Sequence, residues 1–142
     1  MSTTLRKILA GRPVHSVTPD TSLRAAARVM AEHGAGAIVV TEGDRLVGIL
    51  SERDIVFRAV AQGLHSDDTP VRAVMTADPV TVDVDEPVSN ALAKRLGDAF
   101  RHLPVTEGGT VVGVLSFRDI PAEYVMMYEH FREMQGARAD GM

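Results

Sequence analysis

A mixed α/β (α+β) fold, built from two copies of one strand-helix-strand-strand-helix unit about a pseudo-twofold axis, is what the sequence predicts, and three observations predict it. Residues 17–55 lie on residues 82–120 without a gap, with fourteen identities in thirty-nine positions. The identities cluster: Val40-Thr41-Glu42-Gly43 and Val47-Gly48-Ile49-Leu50-Ser51-Glu52-Arg53-Asp54-Ile55 return as Val105-Thr106-Glu107-Gly108 and Val112-Gly113-Val114-Leu115-Ser116-Phe117-Arg118-Asp119-Ile120. Helical and alternating apolar patterns also succeed one another in the same order in both copies. The chain of 142 residues suits one compact core made of two halves, long enough to bury about two-thirds of its unfolded surface. One copy alone cannot cover both faces of a three-stranded sheet, so the copies pack sheet to sheet or helix to helix. The expected boundaries are 1–65 for the first repeat with its N-terminal arm, 66–122 for the second, and 123–142 for a C-terminal amphipathic helix and tail.

The arm is a short helical turn with Thr3 or Thr4 as cap and Leu5, Ile8 and Leu9 on one side, stopped by Gly11 and Pro13. A brief strand, Val14 to Thr18, follows. Asp20 or Thr21 caps a helix whose Leu23, Ala26, Ala27 and Met30 recur at helical spacing, and Gly34 suits its end. Ala37–Val40 and Leu46–Leu50 form a hairpin about Glu42-Gly43-Asp44-Arg45. Ser51 opens a second helix with an apolar stripe of Ile55, Val56, Ala59 and Val60, and the polar turn from Gly63 to Pro70 links the repeats.

The second copy repeats the plan. Val71-Arg72-Ala73-Val74-Met75 echoes the arm Leu5-Arg6-Lys7-Ile8-Leu9, and Pro79–Val82 is the strand. Asp85 and Pro87 start a helix carrying Val88, Ala91, Leu92 and Leu96; Leu103–Val105 and Thr110–Leu115 make the hairpin. Pro121 interrupts any helix running from Ser116, which points to Asp119 as a plain N-cap. Tyr124, Met127, Tyr128, Phe131 and Met134 then mark a long amphipathic helix to about Gln135, with Gly136–Met142 as a frayed tail. Its face either covers the protein's own core or packs on a second subunit.

Composition excludes several chemistries. The sequence has no cysteine, which removes disulfides, thiolate metal sites and thiol nucleophiles. Five scattered histidines show no metal-ligand spacing, so no metal is expected. A net charge of -4 gives no reason to expect nucleic acid. No secretory leader and no run of about 20 apolar residues is present, so the expected setting is the cytoplasm and not a membrane. No nucleophile–base pair is apparent, and an enzyme is not expected.

The duplicated Val-Gly-(Ile/Val)-Leu strand, Ser-x-Arg-Asp-Ile helix start and intervening Val74-Met75-Thr76 resemble a tandem cystathionine-β-synthase (CBS) domain pair of the small stand-alone bacterial type. The resemblance spans roughly residues 3–122. It implies a regulatory module that binds AMP, ATP or an adenine dinucleotide such as NADH as effector in two clefts between the copies, catalyses nothing, and forms a homodimer. It further implies that Asp54 and Asp119 accept hydrogen bonds from ribose hydroxyls, that Ser51, Arg53, Ser116 and Arg118 face phosphates, and that Thr76 contacts ligand. Arg101 and His102 are then placed near the phosphates where the clefts approach one another. Their counterparts Gly36 and Ala37 are small enough to leave room for a base, so the clefts are expected to be unlike. With no further domain in the sequence, the expected target of regulation is a separate protein.

Elementary chemistry agrees. A carboxylate accepts both hydroxyls of a diol, a helix start offers N–H groups to phosphate, and arginine adds a matching fork. Against this stands the capping box, in which Ser51 and Asp54 only start a helix. On that alternative the chain is a ligand-free dimerising scaffold.

Overall fold

Two apolar hairpins, each preceded by a short parallel strand, organise the computed structural model, which describes residues 4–94, 96 and 100–140, the side chains of 136–140 excepted. In the first repeat, β1 (Ser16–Val17) pairs parallel with β2 (Ala37–Glu42), which pairs antiparallel with β3 (Arg45–Ser51). In the second, β5 (Val82–Asp83), β6 (His102–Glu107) and β7 (Thr110–Ser116) do the same. The registers correspond pair for pair: Ala37 faces Ser51 where His102 faces Ser116, and both hairpins carry an irregularity, at Val40/Thr41 and at Val105/Thr106. A fourth strand, β4 (Thr76–Ala77), adds antiparallel to β3.

Each hairpin buries one face under a helix. Helix α2 (Leu23–His33) is capped by the Ser22 hydroxyl, which accepts from the Ala25 N–H at 3.1 Å. The cap is therefore Ser22 and not Asp20 or Thr21; the Thr21 hydroxyl is used one turn earlier, by the Thr18 N–H. Gly34 ends α2 in the left-handed conformation, as its position suggests. Helix α4 (Val88–Ala93) begins after Pro87 and inserts Val88, Ala91 and Leu92 into the second core.

The segments that precede each repeat cross over. Helix α1 (Leu5–Leu9) sends Leu5 and Leu9 into the core of the second repeat, with Val82, Val88, Leu103 and Leu115. Its echo, the 3-10 turn Val71–Ala73, sends Val71 and Val74 into the core of the first, with Leu23, Ile38 and Leu50. The clamps match: the Arg6 N–H donates to the Val84 carbonyl as the Arg72 N–H donates to that of Pro19, each at 3.0 Å. The Arg6 guanidinium pairs with Asp85 and Glu107, and that of Arg72 with Asp20. The arm placed with residues 1–65 by sequence order thus completes the other half.

Gly48 and Gly113, the motif glycines, let these segments approach. A Cβ on Gly48 would lie 3.1 Å from the Thr76 carbonyl oxygen and inside the Met75 thioether. One on Gly113 would lie 2.9 Å from a Leu9 methyl.

Two helices depart from expectation. After Ser51, a single α-helical turn, α3 (Glu52–Asp54), passes into a π-helix at Ile55–Val60. The widened turn brings Ala59 and part of Ile55 onto the core, while Val56 and Val60, placed in the apolar stripe, are exposed. After Ser116 a 3-10 turn (Phe117–Asp119) stops at extended Ile120, because Pro121 lacks the N–H to continue it. Helix α5 (Ala122–Asp140) starts there and runs past Gln135, so Gly136–Asp140 is helical backbone and not a frayed tail. Its stripe divides: Tyr124, Val125 and Tyr128 pack on the second core, whereas Met126, Met127, Phe131 and Met134 are exposed. Among the described residues no helix is long and apolar enough to cross a membrane. The predicted cap Thr3 and residues 141–142 of the expected tail lie outside the description.

Candidate functional site

Both Ser-x-Arg-Asp motifs form capping boxes. Asp54 Oδ2 accepts from the Ser51 N–H at 3.0 Å, and the Ser51 hydroxyl accepts from the Asp54 N–H at 3.1 Å. Asp119 Oδ2 likewise accepts from the Ser116 N–H at 2.8 Å. In each copy one carboxylate oxygen builds the helix start, and the second, Oδ1, is left for another partner. Asp119 is therefore the reciprocal member of a box and not a plain N-cap. The structural and the ligand-facing assignments of the motif are compatible, because they use different atoms.

The two Oδ1 atoms meet different arginines. Asp119 Oδ1 accepts from Arg12 Nη1 at 2.8 Å, across the crossover from the arm. Asp54 Oδ1 lies 3.8 Å from Arg58 Nε, one turn along its own helix. Arg58 is held elsewhere, donating to the carbonyls of Val74 and Met75 at 3.3 and 3.2 Å.

Around Asp119 the structure forms a cavity of about 450 Å³. Gly36, Ala37, His102, Ser116, Arg118 and Asp119 line it, so six of the residues picked from the sequence converge on one cleft formed by both repeats. Leu9, Arg12, Pro13, Val14, His15 and His33 are among the other residues of the wall. A second cavity of about 320 Å³, between Arg45, Asp78, Pro79 and Gly109, holds none of the site residues picked from the sequence. Ser51 and buried Asp54 stand at the start of α3, and Thr76 is an exposed residue of β4 opposite Ile49. Arg53 lies over the Phe57 ring, and Arg101 over that of Phe117, each at 4.9 Å. These five are outside the lining of the Asp119 cavity.

His102 occupies the space that small Gly36 was expected to leave for a base. A Cβ on Gly36 would lie 3.1 Å from His102 Nε2 and 3.2 Å from Glu52 Oε1. Burial holds the imidazole below its ordinary pKa; the Glu52 carboxylate opposes this, Arg118 adds to it, and Asp119 and Arg101 oppose one another to smaller effect. Burial thus favours the neutral imidazole, which lies within electrostatic reach of Glu52 of the first repeat and of Arg118 and Asp119 of the second. At the mouth, the His15 and His33 rings stack at 3.6 Å. Among the described residues no group of three histidine, aspartate or glutamate side chains is arranged to hold a metal ion.

Arg12, His15 and His33 were not picked out from the sequence. The duplication carried no signal for the first of them: at the 65-residue offset Thr76 matches Gly11, and Arg12 matches Ala77.

Comparison with known proteins shows the family and the fold. The family model of the CBS domain matches the chain twice, at residues 5–60 and 71–123. A 17.7 kDa protein of Acidianus ambivalens is 39% identical over 114 residues, 79% of this chain and 68% of that one. The Arabidopsis thaliana CBS domain-containing protein CBSCBSPB5 is 41% identical over 101 residues, 70% of this chain but only 18% of the plant protein. Among solved structures, the CBS domain protein PAE2072 of Pyrobaculum aerophilum, complexed with AMP, superposes with a TM-score of 0.79. It shares 32% identity, and the match covers 90% of this chain and 99% of that one.

Proposed function

The chain belongs to the CBS-domain family, as a tandem pair, and from that premise we propose that it is a regulatory module binding an adenine nucleotide (AMP, ATP or a dinucleotide such as NADH) and signalling to a separate protein. The observation that carries this reading is the Asp119 cleft. A diol-accepting carboxylate, two arginines and a helix-start N–H converge there between the two repeats. The AMP bound by the Pyrobaculum protein supports the ligand class. Ribose would lie on Asp119 and phosphate toward Arg118 and Ser116, with Ser51, Arg53 and Asp54 providing the corresponding groups of the second cleft, and Thr76 and Arg101 at its border.

The mechanism is linkage. Both repeats wall the cleft, so a ligand binds best to one arrangement of them and shifts the population toward it. The matched family model is that of the CBS domain, and the nucleotide is expected to leave unchanged. The exposed face of α5, with Met126, Met127, Phe131 and Met134, favours self-association to a homodimer. That face and the two capping boxes also favour the second reading, a dimerising scaffold without ligand.

Thermal melts separate them. A nucleotide at 100 times its Kd adds about 2.7 kcal/mol of stability, and Asp119→Ala should abolish that gain at the described cleft. No shift with AMP, ATP or NADH at millimolar concentration overturns the nucleotide reading.

A further inference from the structure

Asp119 already has both oxygens occupied, by the Ser116 N–H on Oδ2 and by the Arg12 guanidinium on Oδ1, each at 2.8 Å. A ribose diol therefore meets a carboxylate whose outward oxygen is paired with a cation. We propose that Arg12 is a guanidinium latch on Asp119 that opens only for a ligand carrying phosphate, so that the cleft takes phosphorylated nucleotides and rejects the corresponding nucleoside. This rests on the nucleotide reading above.

The geometry supports a latch that moves at the side chain alone. The Arg12 backbone is fixed: its N–H donates to the Leu9 carbonyl at 3.0 Å, Leu9 is buried in the second core, and Pro13 follows. The side chain is freer, 49% exposed against 16% for Asp119, so the arginine swings and the aspartate stays. A nucleoside that displaces Arg12 replaces an ion pair with hydrogen bonds from uncharged hydroxyls and leaves a guanidinium without its anion near Arg118. A phosphate gives that planar guanidinium an anionic partner that accepts through two oxygens inside the same cavity. The ligand's charge, not its sugar, opens the site.

The first repeat has no such device. Arg58 is tied to two backbone carbonyls and stands 3.8 Å from Asp54 Oδ1, too far for a hydrogen bond. Discrimination between nucleotide and nucleoside is thus a property of the Asp119 cleft.

The test is calorimetric titration of the whole chain and of Arg12→Gln with AMP and with adenosine. Arg12→Gln should bind adenosine several-fold more tightly and AMP more weakly, lowering the AMP-to-adenosine preference by about tenfold or more. Equal changes for both ligands, or none, overturn the latch while leaving nucleotide binding intact. Failure of the unaltered chain to bind AMP overturns the nucleotide reading and the latch together. Arg12→Lys keeps the charge but loses the fork; it should shift the preference in the same direction by less, and it carries the test if Arg12→Gln does not fold.

Discussion

Each motif carboxylate serves two masters through two oxygens. Oδ2 of Asp54 and of Asp119 closes a capping box, and Oδ1 faces a guanidinium, that of Arg58 for Asp54 and that of Arg12 for Asp119. His102 offers the residue-scale measurement. Its pKa is depressed below 6.5 in the folded chain, chiefly by burial, so the unfolded chain binds the proton more readily. The sign follows: its stabilising share is present in full above about pH 6.5 and is lost as pH falls through the folded value. His102→Gln should flatten the fall in denaturant midpoint between about pH 7 and 5; an unchanged slope would show that His102 does not carry it. The motif residues were legible because they repeat. Arg12 was not, since its partner is 107 positions away and only the crossover brings them together.

Elements in this fold are completed by segments from elsewhere in the chain. Leu5 is fully buried, although it lies on a helix of only five residues that no intrinsic propensity would sustain. Leu5→Ala should therefore cost about 2–5 kcal/mol in chemical denaturation, a full core-cavity effect. A loss under 1 kcal/mol, typical of a frayed terminus, would contradict the crossed packing. The hairpins and α2 were readable because alternation, turn glycines and caps each have a local cause. The π-helix was not, because the apolar spacing of Ile55, Val56, Ala59 and Val60 is compatible with either ladder, and only packing decides which residues turn inward. In α5 the Tyr-Met stripe was read as one face; contact with the second core selects Val125 in place of Met127.

For the whole molecule, the duplication foretold the architecture, and the crossing of the two arms was hidden because both copies carry the same echo. A fragment of residues 14–77 holds Val71 and Val74 as well as the first hairpin and α2. It should unfold cooperatively by circular dichroism, whereas residues 1–65, which lack that lid, should not. If 1–65 is the more cooperative fragment, the crossover does not define the unit. The crossed arms also set an order in time. Helix α1 leaves the ribosome well before β5 to β7, the surface it packs on. It must wait, unpaired, until the second hairpin has been synthesised, so a segment made early finds its place late.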